Sequence, residues 1–551
     1  MPTFSNVVRR LGDRARGASV DAEIIATTAL LGAVLVIGVA TAGDYGLTVD
    51  EFNTDDYGPK ALAWYTSGFK DRSHFETVEF SLWYYGPWFQ MLTAYVQSFE
   101  LADRIFVRHV ATFLVGLAGL AALLPIGRLA VGRWAGLAAI VLCLLTGYFY
   151  GSLFFSPIDV PFAAAMTWAT LAILLMTRQP VPSWRATVLV GLLSGLAIGT
   201  RTGGIITHAY LLAGLLLCAV EAFAVHGRLT AAYPLRIVAR YAAAVAIAWV
   251  TAFTIWPWLQ IGNPFRQFKI ALVHFATIPM TYEFSHWGQR IWTSELPVSY
   301  VPGQLLARLP EGFLLLLAVA CGYAIFGGFT LARSGSWRAA ALSLARQRAI
   351  LVVGVAALLP ITFLIIQHAT LYDGIRHVLF VIPMLAVLAG LGLWALLPFL
   401  GRAPVIAALA AGAYVGGVIA TLGVLHPLEY VATNALAGGI RGAYGRFELD
   451  YWSVAATEAV RRLEGRLDYD PAVRMADSPP SIVVCIPWRE HLIRPMLKRP
   501  WVVETDTKRA DFIIATERSR CGDEKGIVLI DEVKRFDRTF AWVYARRPAN
   551  P

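Results

Sequence analysis

Two adjacent carboxylates, Asp50 and Glu51, lie about eight residues beyond the first long apolar stretch of the chain. Near a low-dielectric surface such a pair can divide its work. One carboxylate can act as base toward a hydroxyl while the other serves as a hydrogen-bond or metal partner; the alternative is a solvated acidic loop. Three further short segments carry polar groups among Gly and Pro: Ser156-Pro157-Ile158-Asp159-Val160-Pro161-Phe162, Gly199-Thr200-Arg201-Thr202-Gly203-Gly204 and Tyr372-Asp373-Gly374-Ile375-Arg376-His377. Arg201 and Arg376 suit an anion such as a phosphate, because a guanidinium offers a planar fork of donors. An internal pair, for instance Arg376 with Asp373, would account for them as well. His377 could position a phosphate or cap a helix; His274 could ligate a metal or face the interface. With no His-x-x-x-His or comparable spacing, no metal site follows from the residues, and the need for a divalent cation stays open. The stretch from Phe80 to Phe89, with Tyr85 near its centre, reads either as a membrane-interface belt or as a surface for stacking on a sugar.

The segments that must position these groups are too apolar for water. Of 551 residues, 57% are hydrophobic and 15% charged, against about 25% charged in soluble domains. Windows that meet or approach about 20 apolar residues, the length that spans a bilayer, fall at roughly 22–42, 105–127, 134–151, 159–177, 186–200, 204–225, 239–258, 311–332, 349–367, 377–398 and 403–425, the fifth being short. Eleven helices would place the termini on opposite sides. With the N-terminus inside, every inner segment is basic: the N-terminal arginines, Arg128/Arg133, Arg178/Arg185, Arg228/Arg236/Arg240, Arg333/Arg338/Arg346/Arg348 and Arg402. That alternation is the positive-inside pattern, and it explains the net charge of +10 without nucleic acid. Arg9, Arg10, Arg14 and Arg16 precede a stretch long enough to span, which reads as an anchor rather than a cleaved signal.

The expected organisation is a multi-pass α-helical membrane protein. It has a basic cytoplasmic N-terminus (1–21), a transmembrane domain (22–425) with two large outer loops (43–104 and 259–310), and an extracytoplasmic C-terminal domain (426–551). The first loop holds ten acidic and four basic residues. Asp55-Asp56 followed by Pro59 reads as a helix N-cap and first turn, with Ala61 to Phe69 as an interfacial helix and Asp50-Glu51 at its entry. The tail shows a helix-like stretch (Val454 to Leu463) and strand-like runs (Ser481 to Ile486, Asp511 to Ala515, Gly526 to Ile530, Phe540 to Tyr544), a small α/β domain. Cys485 and Cys521 would both lie in an oxidising compartment, so a disulfide between them is open. Ionisable groups are scarce within the spans and gather at the outer helix ends. This favours chemistry on a lipid-linked substrate over ion-coupled passage through the membrane.

The order of motifs carries a resemblance. Val49-Asp50-Glu51 follows the first span; then come Tyr85-Gly86-Pro87, the Ser156–Phe162 segment, Gly199-Thr200-Arg201, Trp256-Pro257, Asn263-Pro264, the Tyr372–His377 segment, His426-Pro427 and Asp450-Tyr451-Trp452. Over roughly residues 20–455 the chain resembles glycosyltransferase family 39 and its GT-C relatives, which include protein O-mannosyltransferases and lipid A aminoarabinose transferases. The resemblance implies a GT-C-like fold, a polyprenyl-phosphate-linked sugar as donor, inversion at the anomeric carbon, and a glycan, lipid or protein hydroxyl as acceptor, at the plasma (inner) membrane of the cell. It implies Asp50 as base with Glu51 beside it, and Asp159 as the acidic position of the second outer loop. Two departures stand out: Ile158 where the family often has Lys, and Gly86-Pro87 where the aminoarabinose branch has Lys-Pro on the lipid phosphate. The phosphate grip is therefore expected at Arg201 and Arg376, with His377 and Lys60, supported by Asp373 and Tyr85, and the chain is not expected to be an aminoarabinose transferase. The competing expectation is a transporter or flippase that moves a lipid-linked sugar without making a bond. A third, a membrane anchor for the outer tail, fits poorly with eleven spans.

Overall fold

The computed structural model describes residues 20–76, 79–276, 281–333, 335–468, 479–485, 497–498, 500–519, 521 and 526–546. The N-terminal arginines lie outside the described residues. Nine helices among the described residues are long and apolar enough to cross a membrane, and they occupy nine of the eleven expected windows. The other two differ in form. Window 134–151 is a pair of short helices, Ala135–Leu145 and Gly147–Phe155, bent by 76°. Window 186–200 is the 15-residue helix Trp184–Ile198, about 22 Å long at 1.5 Å per residue and so shorter than a hydrocarbon core of about 30 Å.

Burial sorts the spans. Asp159–Met176 has 89% of its window inside the protein and forms the centre of the bundle, whereas Pro404–Leu425 has none. Val405, Ile406 and Leu409 on that outer helix are exposed, as befits side chains whose solvent is lipid. The short helix Trp184–Ile198 is held by close backbone approach. A Cβ on Gly195 would stand 2.5 Å from Thr251 Cβ and 2.6 Å from the Ala248 carbonyl oxygen, and one on Gly191 would stand 2.6 Å from Ile247 Cβ. This four-residue repeat of glycines, continued at Gly199, lets it lie directly on Ala232–Ile255. Gly195→Leu is accordingly expected to cost about 1–3 kcal/mol by overpacking, read as a drop of several degrees in the melting temperature of the protein in detergent.

The first loop folds differently from expectation. Its helix, α1 (Val49–Thr66), begins six residues before the expected N-cap and includes Pro59 in its interior. The reason is a capping box: Thr48 accepts from the Glu51 amide, and the Glu51 carboxylate accepts from the Thr48 amide at 3.0 Å. Asp50 and Glu51 therefore occupy the first turn of α1 rather than its approach. The second large loop contains the helix Pro264–Ala276, a hairpin of β1 (Glu283–His286) and β2 (Gln289–Trp292), and the helix Tyr300–Arg308.

The C-terminal part is a small α/β domain. Its sheet runs β4-β3-β5-β7-β6, with β3 (Ser481–Cys485), β4 (Val502–Val503) and β5 (Phe512–Thr516) parallel. The long strands β6 (Ile527–Arg535) and β7 (Arg538–Arg546) are antiparallel to each other, and β7 is antiparallel to β5. The helix α2 (Ala455–Asp468) packs on the sheet through Ala459, Val460 and Leu463, all buried. β6 runs five residues past the C-terminal end of its sequence-based run, and β7 runs two residues past each end of its own.

Candidate active site

Four chain segments far apart in sequence bring their polar residues to one end of the bundle. Asp50 comes from the first turn of α1; Asp159 opens the central span; Arg201 follows the short helix; Asp373 lies in the loop before the span Arg376–Leu400, and Arg376 opens that span. Arg376 is the hub. Its Nη2 donates to Asp50 across 326 residues of sequence. Its Nη1 donates to Asp373 Oδ2 at 3.1 Å, and its Nε stands 3.4 Å from Asp159 Oδ2. Asp159 is shared: Arg201 Nη1 donates to its other oxygen, and the Ser156 hydroxyl donates to Oδ2 at 3.1 Å. Aromatic faces line the guanidiniums. Arg201 lies 5.6 Å from the Tyr85 ring centre, and Arg376 lies 5.2 Å from that of Trp452 and 5.6 Å from that of Tyr372.

The three carboxylates are not equivalent. Asp50 keeps 22% of its side chain exposed, against 2% for Asp159 and 6% for Asp373. It alone of the three has an open approach. Burial pushes the Asp50 carboxyl above the ordinary aspartate value; Arg376 opposes this, and the charges of Asp159 and Asp373 add to it. A carboxylate so placed is a stronger base than one in water. It is still held in the charged form by the guanidinium against which it rests.

Not every expected residue joins the cluster. Glu51 points the opposite way because its carboxylate closes the capping box; it is wholly buried, with Oε1 3.0 Å from His109 Nε2. It is a structural partner of the span Arg104–Ala130, not a second carboxylate in the site. Lys60 is ten residues on from Asp50, about 15 Å along the helix axis, where it pairs with Asp56. His377 sets its ring edge-on to Tyr372, 4.7 Å between centres, and makes no ion pair with the three aspartates among the described residues. His274, on the helix of the second large loop, sets its ring at a tilt to Tyr84, 4.5 Å between centres. Among the described residues, no group of three His, Cys, Asp or Glu side chains is placed to hold a metal ion.

The departure at Gly86-Pro87 has a steric cause. Gly86 lies backbone to backbone against Gly199 and Thr200, its amide donating to the Thr200 carbonyl at 3.2 Å. A Cβ there would fall inside the van der Waals radius of the Gly199 carbonyl oxygen. No lysine fits unless the two loops part, so this chain has Arg201, carried by the apposed loop, in that neighbourhood instead.

Several site residues had no sequence signal of their own. Tyr282, from the segment before β1, donates its hydroxyl to Asp373 Oδ1 at 3.1 Å. Arg518, from the turn after β5, donates to the same oxygen at 3.2 Å. Tyr148 donates to the Asp373 carbonyl at 2.8 Å and lies within hydrogen-bond distance of the Tyr451 hydroxyl. These contacts hold Asp373 in a left-handed backbone conformation, φ +57°, which a non-glycine residue adopts only when its surroundings fix it.

No protein-family model matches the sequence, and no curated protein matches it. Solved structures do. ArnT from Cupriavidus metallidurans, bound to undecaprenyl phosphate, is 16% identical over 94% of this chain and 97% of its own, with a TM-score of 0.46. The oligosaccharyltransferase AglB from Archaeoglobus fulgidus, in complex with an inhibitory peptide and a dolichol-phosphate, is 12% identical over 88% of this chain and 69% of its own, with a TM-score of 0.41.

Proposed function

We propose that the protein is a membrane glycosyltransferase that takes a sugar from a polyprenyl-phosphate donor and places it on an acceptor hydroxyl, with inversion, on the side that carries the C-terminal domain. The observation that carries this is the hub itself: one accessible, basic aspartate resting on an arginine that two buried aspartates also hold. In the transfer, Asp50 takes the proton from the acceptor hydroxyl as its oxygen bonds to the anomeric carbon. The bond from that carbon to the phosphate oxygen breaks on the opposite side, and its electron pair leaves with the polyprenyl phosphate. Protonation of Asp50 removes one carboxylate from Arg376. Its charge then becomes available to the departing phosphate at the moment that charge develops, which is when stabilisation accelerates a reaction. Arg201, 16% exposed and anchored by Asp159 through one nitrogen, has donors left for the same oxygens. The polyprenyl tail stays in lipid, which accounts for a site at the helix ends rather than at the midplane.

The test uses sealed vesicles that contain the full-length protein, their native acceptors and a radiolabelled polyprenyl-phosphate sugar. A glycosylated product formed together with free polyprenyl phosphate is the expected outcome. Movement of the intact donor between leaflets with no product would replace this reading by a flippase.

A further inference from the structure

The C-terminal domain does more than cover the site, because one of its side chains is part of the network. Arg518 lies on the turn after β5, yet its Nη1 donates to Asp373 Oδ1 at 3.2 Å and to the Tyr451 carbonyl, while its Nε stands 3.2 Å from Glu448 Oε1. The guanidinium sits 5.2 Å from the Tyr282 ring centre, and its side chain is 12% exposed. Burial works against its charge, but the carboxylates of Asp373 and Glu448 outweigh burial and hold Arg518 above the ordinary arginine value.

The turn that carries Arg518 is fastened on both sides. The Thr516 amide donates to the Ser519 carbonyl at 3.1 Å, and the Thr516 hydroxyl lies 3.1 Å from that of Ser453. Three residues beyond Arg518, Cys521 is joined by a disulfide to Cys485 at the end of β3, with the two Cα atoms 6.2 Å apart. Because β3 pairs directly with β5, this covalent link closes the turn onto the sheet.

We infer that Arg518 is a positioning residue for the transfer, held against Asp373 by the Cys485–Cys521 disulfide, and that it fixes how much of Arg376 is left for Asp50. The inference rests on the reading of Asp50 as base. Its physical basis is competition. Asp373 and Asp50 both draw on Arg376, and Asp373 draws less when Arg518 and the Tyr282 hydroxyl already satisfy its other oxygen. Without Arg518, Arg376 shifts toward Asp373, and Asp50 loses the contact that keeps it charged. The groups facing Asp50 are Arg376, Asp159, Asp373 and the phenols of Tyr85 and Tyr372. Those facing Arg518 are Asp373, Glu448 and Tyr282, with Arg290 and Arg308 acting on Glu448 from farther off. Glu448 and Asp450 are each pushed up to about 7 by burial, with Arg518 among the groups that hold them down, so they are the further groups whose titration the loss of Arg518 would move.

The experiment measures the rate of sugar transfer against pH for the full-length protein in vesicles with labelled polyprenyl-phosphate sugar and native acceptors. In Arg518→Met the acidic limb is expected to move up by about one unit, making transfer about tenfold slower below the limb and nearly unchanged well above it. Arg518→Lys, which keeps the charge, is expected to return most of that shift. The double variant R518M/E448Q keeps the shift, because Asp50 and not Glu448 carries the limb. Treatment of the unsubstituted protein with a phosphine delivers two electrons to the disulfide, giving two thiols and the phosphine oxide. Maleimide labelling then counts two thiols beyond the exposed Cys321, and the limb is expected to move in the same direction. An unmoved limb in R518M, whether its rate is full or lowered equally at every pH, would overturn the positioning role. A shift that vanishes in R518M/E448Q would overturn it too. A fully reduced protein with an unmoved limb would overturn the part assigned to the disulfide, and if R518M does not fold, the reduced protein decides the question. An Asp50→Asn variant that transfers at the full rate would instead sink the reading beneath it.

Discussion

Asparagine in place of Asp50 lowers the rate of sugar transfer by about 10²–10⁴-fold, the usual worth of a positioned general base. The amide keeps the shape of the carboxylate and can still accept from Arg376, so the hub stays assembled and the donor still binds. What is lost is the acceptor of the proton. The expected signature is therefore a fall in kcat with the KM for donor changed only a few-fold, measured from initial rates of product formation in membrane vesicles. A loss confined to KM would mean that Asp50 binds substrate rather than taking its proton. Glu51→Gln is the informative contrast: it weakens the capping box and the contact with His109, so its effect belongs to stability, about 0.5–2 kcal/mol for a lost cap, read in the melting temperature.

Arg376→Met is the second large effect, a fall of about 10²–10³-fold, with two separable parts. One is the loss of the cation that meets the departing phosphate, seen at every pH. The other is a change in Asp50. Arg376 is the group that lowers its proton affinity against burial, Asp159 and Asp373. With the guanidinium gone the folded-state value rises further, and the acidic limb of the rate moves up by about 1–3 units. The sign follows from the role: the active form is the charged one, so raising the value removes activity at a pH where the unsubstituted protein retains it. Arg376→Lys keeps a charge but cannot reach three carboxylates at once, and its expected rate lies between the two.

Much of this arrangement could be read in the chain before folding, and the parts that could not have a common cause. Apolar windows located the spans because bilayer insertion depends on composition over about 20 residues, a local property. The window at 186–200 was already short, as the helix Trp184–Ile198 is, but the windows did not distinguish a straight helix from the bent pair at Thr146, since that depends on which helix lies alongside. The start of α1 carries two competing signals. Thr48-x-x-Glu51 is a capping box, yet Asp55, Asp56 and Pro59 make a second start signal, and tertiary burial of Asn53, Thr54 and Tyr57 settles the competition in favour of the first. That choice decides the fate of Glu51. Asp50, Asp159, Arg201, Asp373 and Arg376 were legible as polar residues at helix ends, and so was the pairing of Arg376 with Asp373 three residues away; the long-range pairings with Asp50 and Asp159 were not. Arg518 was not legible at all. Nothing near it in sequence marks it, and it reaches Asp373 only through the packing of a separate domain.

The glycine at position 86, where the resemblance led one to expect a lysine, also acquires a reason. The loops bearing Tyr85 and Arg201 touch through their backbones, so position 86 has no room for a side chain. A cation from the neighbouring loop takes over that region. This is a substitution of position rather than of charge, and it keeps an arginine against the Tyr85 ring.

The measurement that bears most directly on Asp50 as base is the pH dependence of kcat/KM for transfer, taken from pH 4 to 9 on the unsubstituted protein and on Asp50→Asn. The expected result is one acidic limb in the unsubstituted protein, with a tenfold fall per unit below a midpoint that lies above the ordinary aspartate range, and no such limb in Asp50→Asn. A rate that stays level across that range, or a limb that survives unchanged in the Asn variant, would contradict it.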